Sequence, residues 1–202
     1  MSQILLITSS PRSNSYSTRA AQHLAEKLQQ QDPASRLIVR DLRADHLPHI
    51  DDTFATARNT PAEKLTPSQR SALTLSDGLL QELFASDVII ISAAMINFGI
   101  PSTLKAYIDY IVRPGVSFRY GEKGPEGLIK GKKVYLVVAR GGVYSQGPMQ
   151  SHNFQDTYLR AVLGFIGMTD VEVIAVEGVA FGPEAAEKAF SQALSRVSAV
   201  AT

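Results

Sequence analysis

The sequence contains neither cysteine nor tryptophan among its 202 residues. Without cysteine there is no disulfide framework, no thiolate metal site and no cysteine nucleophile. No sign of charge predominates either: 20 basic residues stand against 19 acidic ones, a formal net charge of +1. That balance gives no electrostatic reason to expect nucleic acid or an anionic membrane as a partner. No stretch approaches the ~20 apolar residues of a membrane span, and the most apolar run, residues 88–96, already contains Ser92. The N-terminus lacks the basic segment and cleavage site of a secretory signal. The expectation is a soluble protein of the cytoplasm.

What is present reads as ordinary globular sequence. Hydrophobic residues make up 45% and charged residues 19%, which excludes a largely disordered chain and a coiled coil. There is no repeat, low-complexity tract or linker, so residues 1–202 are read as one domain. Five short β-branched runs, at 4–8, 36–42, 88–92, 134–139 and 171–176, alternate with patterns of helical period. Ala20, Leu24 and Leu28 mark the first helix and residues 69–86 the second. A third follows Pro101, residues 154–166 form a fourth, and Pro183 opens the last. Strand–helix alternation predicts a doubly wound α/β fold, a parallel sheet with helices on both faces. Five strands favour the flavodoxin-like order 2-1-3-4-5 over the six-stranded dinucleotide-binding order. Residues 46–66 and 115–133 are left irregular, and loops of such length in a compact domain are usually lids or binding loops.

In a doubly wound sheet, ligands sit beyond the carboxyl ends of the strands. The first such end reads Ser9-Ser10-Pro11-Arg12-Ser13-Asn14-Ser15-Tyr16-Ser17 and runs directly into a helix. It contains no G-x-G-x-x-G and no G-x-x-x-x-G-K-[ST], which argues against a dinucleotide turn and a triphosphate loop. Hydroxyls of Ser10, Ser15 and Ser17 at a helix N-terminus suit a phosphate monoester, because the free N–H groups and the helix dipole favour an anion. The same cluster also fits a serine-rich turn with a single N-cap.

Two further strand ends carry motifs. The third strand is followed by Met95-Ile96-Asn97-Phe98-Gly99-Ile100-Pro101-Ser102, the fourth by Arg140-Gly141-Gly142. With Ser10-Pro11-Arg12, Ser15-x-Ser17, the segments Val116-Ser117-Phe118-Arg119-Tyr120 and Gly124-Pro125-Glu126-Gly127-Leu128, and Leu163-Gly164-Phe165-Ile166-Gly167, the chain closely resembles the FMN-dependent NADH-azoreductases, flavodoxin-like quinone reductases. The resemblance implies that Ser10, Ser15, Tyr16 and Ser17 hold the FMN phosphate. It implies that Met95, Ile96, Asn97 and Phe98 lie along the isoalloxazine ring, and that Ala139, Arg140, Gly141 and Gly142 support its pyrimidine side. Asn97 offers both a donor and an acceptor, which matches a ring edge presenting both. Ile96 stands where the family usually has tyrosine and Ala139 where it usually has serine, each removing a hydroxyl contact of about 0.5–1.5 kcal/mol.

The activity implied is a ping-pong cycle in which NADH reduces FMN and the reduced cofactor passes electrons to quinones or to aromatic azo compounds, cleaving the azo bond to amines. No side chain acts as a nucleophile; Tyr120, Phe98 and Val162 are the implied acceptor-pocket residues. Val162 occupies a position where the family often places an aromatic residue, which implies a roomier pocket here. The resemblance also implies a homodimer whose two subunits line each FMN site. The helix over residues 154–166 supports this with Tyr158, Leu159, Val162, Leu163, Phe165 and Ile166, an apolar surface wider than one sheet-facing stripe needs. The alternative is a flavodoxin-type electron carrier with no substrate pocket, against which stand the near-neutral charge and the two long loops. The cluster His46, His49, Asp51 and Asp52 is read as a solvated loop and no metal is expected; His152 and Arg58 are read as surface residues.

Overall fold

Residues 2–200 are described by a computed structural model in which each of the five apolar runs becomes a strand. The elements are β1 (Gln3–Thr8), α1 (Tyr16–Gln31), β2 (Arg36–Asp41), α2 (Asp52–Ala57), α3 (Pro67–Ala85), β3 (Val88–Ala94), α4 (Ser102–Ile111), β4 (Phe118–Gly121), β5 (Gly124–Gly127), β6 (Lys133–Arg140), α5 (Asp156–Phe165), β7 (Asp170–Glu177) and α6 (Pro183–Val200). The main sheet is parallel with strand order β2-β1-β3-β6-β7. Because β4 and β5 stand outside it, this is the expected 2-1-3-4-5 order.

The continuous apolar strands are explained by burial on both faces. Side chains alternate across a strand, so Leu5 and Ile7 join one core with Ile89, Ile91, Leu136 and Val138, under Leu79, Leu83, Leu104 and Leu159 from α3, α4 and α5. Ile4 and Leu6 face the other way, into a second core with Ile90, Tyr135 and Val137, beneath Ala20 and Leu24 of α1 and Phe190 and Val197 of α6. Thr66 opens α3 with a reciprocal capping box to Gln69, the arrangement that satisfies two orphan donors at once.

Both stretches left irregular contain structure. Within 46–66, Asp51 accepts the Phe54 N–H at 2.8 Å and starts the six-residue α2, which buries Phe54 and Ala57. Six residues are too few to show helical period. Within 115–133, β4 and β5 form an antiparallel hairpin. Its seat is a close backbone approach: a Cβ on Gly127 would lie 2.1 Å from the Gly167 nitrogen, and Gly167 itself has φ +107. Phe118 is buried there against Phe165, ring centroids 4.5 Å apart. The hairpin therefore depends on contacts from α5 and the turn after it, not on its own four-residue strands. Among the described residues no helix is long and apolar enough to cross a membrane, and no group of three or more His, Cys, Asp or Glu is placed to hold a metal.

Candidate active site at the carboxyl ends of the strands

Strand order reverses between β1 and β3, and the crevice this creates lies beyond their carboxyl ends. A cavity of about 460 Å3 occupies it. Four segments wall it: Ser10, Pro11, Arg12, Asn14, Ser15 and Tyr16 after β1; Ala94, Met95 and Ile96 after β3; Ala139, Arg140 and Gly141 after β6; and Val179 and Ala180 after β7. Its size falls within the ~300–1,000 Å3 range of small-molecule sites.

The first wall ends at the N-terminus of α1. Ser15 sits at the N-cap but makes no side-chain cap bond, and the first turn carries no acidic residue. The Ser15 hydroxyl instead pairs with that of Ser17 at 2.9 Å, while the Ser10 hydroxyl accepts the Arg12 N–H at 3.3 Å. The helix end thus keeps its dipole and N–H donors for an incoming anion. Ser17 is fully buried and does not line the cavity, so it reaches the site only through Ser15.

The second wall is a tight turn. Ile96 and Gly99 exchange backbone hydrogen bonds at 3.0 Å in each direction. Between them Asn97 and Phe98 have φ +47 and +70, the double left-handed conformation of a type I′ turn. For Phe98 this is strained backbone, costing about 1–2 kcal/mol. Its exposed ring leans on Tyr144 and His152, with centroids 6.3 and 5.4 Å away. Phe98→Gly is expected to leave the melting temperature unchanged or raised, while the rate with an electron acceptor falls. A thermal melt beside an acceptor assay checks this, and a clear loss of stability would show that the ring contacts outweigh the strain.

The third wall is braced from behind. Arg140 lines the cavity, but its guanidinium turns inward and its side chain is only 1% exposed. It donates to Glu177 at 2.9 Å, to Asp156, and through Nε to Gln155 at 3.0 Å. Gln155 in turn donates to the Ala93 carbonyl at 3.1 Å. The guanidinium is consumed in tying β6 to β3, β7 and α5, so any contact of Arg140 with a ligand falls to its remaining atoms. The Ala139 carbonyl likewise accepts the Met95 N–H at 2.8 Å, joining the second wall to the third.

Tyr120 and Val162 are not in this cavity. They share another, of about 450 Å3, with Arg58, Ile108, Val112, Phe118 and Tyr158. Tyr158 also borders a shallow apolar hollow formed with Ile100 and Phe154. Of the other predicted residues, Ser17, Asn97, Phe98 and Gly142 line neither cavity. Arg58 is drawn into the surface of Tyr120 and Val162, with its Nε buried and lacking a hydrogen-bond partner. A larger groove of about 930 Å3 runs along the edge of β7, lined by charges of both signs. It lies behind the cradle, and Arg140 is common to both.

Val179 and Ala180 escaped the sequence reading, as did Asn14. The signal was present: Gly178 and Gly182, with φ +78 and +114, bracket a turn at a fourth strand end, where the same positional rule applies.

The chain matches the family described as "Flavodoxin-like fold" over residues 2–201. It is 57% identical over 201 residues to FMN-dependent NADH:quinone oxidoreductase 1 of Rhizobium etli, covering 100% of this chain and 98% of the relative. It is 53% identical over 198 residues to the FMN-dependent NADH:quinone oxidoreductase of Mesorhizobium japonicum, covering 98% and 94%. Among solved structures, an azoreductase from Bacillus anthracis superposes with a TM-score of 0.92 at 28% identity, covering 100% and 99%. An FMN-dependent NADH-azoreductase from the same species, in complex with FMN, gives 0.87 at 25% identity over the whole of both chains.

Proposed function

Because the chain belongs to the flavodoxin-like-fold family that includes the FMN-dependent NADH:quinone oxidoreductases, we propose that it is an FMN-dependent NADH oxidoreductase acting on quinones and aromatic azo compounds. The observation that carries the reading is the 460 Å3 cavity, which ends at an uncapped helix N-terminus and opens between apolar and glycine-bearing walls. A phosphate fits the first end and a flat ring the second. When bound, FMN supplies the acceptor for hydride from NADH and the donor to the quinone or azo compound. The chain positions it. Ser10, Ser15 and the α1 N–H groups hold the phosphate dianion by charge-assisted bonds. Met95 and Ile96 offer apolar contact, and Asn97, next to Ile96 in the turn, offers an amide donor and acceptor to the ring edge. Gly141 lets backbone approach the ring closely. Tyr16 closes the phosphate end and is itself braced against Phe190, centroids 5.5 Å apart.

The same proposal includes a homodimer of single-domain subunits in the cytoplasm, where NADH is supplied. The separation of Tyr120 and Val162 from the cradle supports it: residues on a second apolar surface complete a partner's pocket when two chains pack face to face. An electron carrier would need neither that surface nor an acceptor pocket.

The direct test is to purify the protein, release its cofactor with acid and chromatograph it. FMN is expected, together with NADH oxidation coupled to a quinone and to an azo dye. FAD, or no flavin, would overturn the reading. Ser15→Ala is expected to weaken FMN by about 1.5–3 kcal/mol, the loss of a hydrogen bond to a charged group. Ser17→Ala, one bond further back, costs less. Titration of FMN fluorescence checks the order.

A further inference from the structure

Glu177 is the last residue of β7 and is absent from the walls of the 460 Å3 cavity. Its carboxylate is nevertheless fully engaged with the segment that forms one of those walls. One oxygen accepts the Tyr144 N–H at 2.8 Å, the Ser145 N–H at 3.0 Å and Arg140 Nη1 at 2.9 Å. The other accepts the Ser145 hydroxyl at 2.5 Å. Two successive backbone N–H groups converging on one oxygen form an anion-binding nest, here filled by the protein's own carboxylate. That side chain is 13% exposed, and burying an anion is costly unless its bonds are made.

The opposite rim of the same segment is pinned as well. The carbonyls of Arg140, Gly141 and Gly142 accept the N–H groups of Val179, Ala180 and Gly178 at 3.2, 3.0 and 3.0 Å. Residues 140–145 are therefore held by their carbonyls to the turn after β7 and by their N–H groups to the residue that precedes that turn. Gly141, Val179 and Ala180 all face the cavity. The carboxylate thus adds a tie from the end of β7 to residues 144 and 145, beside the backbone bonds that join two of the four walls directly.

We infer that Glu177 is a positioning residue for the flavin: its carboxylate clamps residues 141–145 so that Gly141, Val179 and Ala180 present a fixed edge to the FMN ring. The inference rests on the FMN reading above. Burial works against the charged form of Glu177, but the bonds from Ser145, Tyr144 and Arg140 outweigh it and hold the carboxyl below its ordinary value, so the clamp is an anion at neutral pH. Asp156 provides an internal control. It pairs with the same guanidinium, and among the described residues it makes no hydrogen bond to residues 141–145.

The experiment titrates full-length wild type, Glu177→Gln and Asp156→Asn with FMN, following fluorescence quenching and the visible circular dichroism of the bound flavin. Glu177→Gln is expected to bind FMN about tenfold more weakly, the loss of charge-assisted bonds to backbone, and to give an altered dichroism spectrum. Asp156→Asn should stay within about threefold of wild type, because Asp156 makes no hydrogen bond to residues 141–145 among the described residues, and keep its spectrum. Equal affinity and spectrum for wild type and Glu177→Gln would overturn the inference alone. So would an equal loss in both variants, since the effect would then belong to the ion pairs of Arg140 and not to the clamp. A wild-type chain that takes up no flavin would overturn the functional reading and the inference with it. Should Glu177→Gln not fold, Ser145→Ala removes one donor at an exposed residue, and it is expected to weaken FMN about two- to fivefold, as for one ordinary hydrogen bond. Unchanged affinity and dichroism there would overturn the clamp.

Discussion

Arg140→Met is expected to remove about 3–5 kcal/mol of folding stability, the cost of breaking a buried ion pair from one side. The arginine is 1% exposed and sits between Glu177 and Asp156. Methionine refills much of the stem volume but leaves two carboxylates and the Gln155 amide facing an apolar side chain. Urea unfolding should show the midpoint falling with little change in slope. The pH dependence gives a second reading. In the wild type Glu177 has a depressed folded pKa, so its stabilisation is present above the unfolded value of about 4.3 and is lost as pH falls through the folded value. Without the guanidinium, Glu177 loses part of what holds its folded pKa down, while the bonds from Ser145 and Tyr144 remain. The folded pKa moves up toward the unfolded one, so part of the stabilisation present above the unfolded value disappears. The deficit of the variant should therefore be larger at about pH 7 than at about pH 3. A deficit below about 1 kcal/mol at both, the size of a surface pair, would show that Arg140 contributes only as a solvated ion.

The second large effect concerns assembly. Phe154 is 58% exposed, next to the apolar hollow formed by Ile100 and Tyr158. Within one chain it packs little, so Phe154→Asp should leave the fold intact. In a dimer joined across this surface it would be an aromatic anchor, and such anchors cost about 2–4 kcal/mol or more when lost. A charge in their place weakens association by ~30-fold to ~1,000-fold. If the proposed dimer uses this surface, sedimentation should show the wild type near twice the chain mass of 21.9 kDa and the variant near that mass at the same concentration. Quinone reduction should fall in parallel if Tyr120 and Val162 serve the partner's site. A variant that stays dimeric would move the interface elsewhere. A fully active monomer would remove the second subunit from the site.

The sheet and its order were legible because each strand buried on both faces must be apolar at every position, and few sequences read that way by accident. Ile4 to Ile7 illustrate this, feeding two cores in alternation. The serine-lined end of the cavity was legible for a local reason: a hydroxyl cluster adjoining a helix start in sequence also adjoins it in space. The turn of Asn97 and Phe98 was legible only as a motif. Its left-handed backbone follows from the bonds between Ile96 and Gly99, and Phe98 by itself argues against that conformation. Arg140 was legible as a motif position on a cavity wall, but where its guanidinium points was not, because the direction of a side chain is set by what lies beyond it.

By itself the sequence determined the doubly wound class, the five-strand order and the strand ends at which the 460 Å3 cavity lies. Those follow from hydrophobic period and from the handedness of crossovers, both local or topological. Only the tertiary structure decided that the hairpin of β4 and β5 exists, since its seat is the contact of Gly127 with Gly167 across 40 residues. Only it decided that Glu177, Gln155 and Asp156 converge on Arg140, and that Tyr120 and Val162 lie apart from the cradle. Buried charges meet where separate elements pack, and nothing in the spacing of a chain records which acid faces which base until the layers close around them.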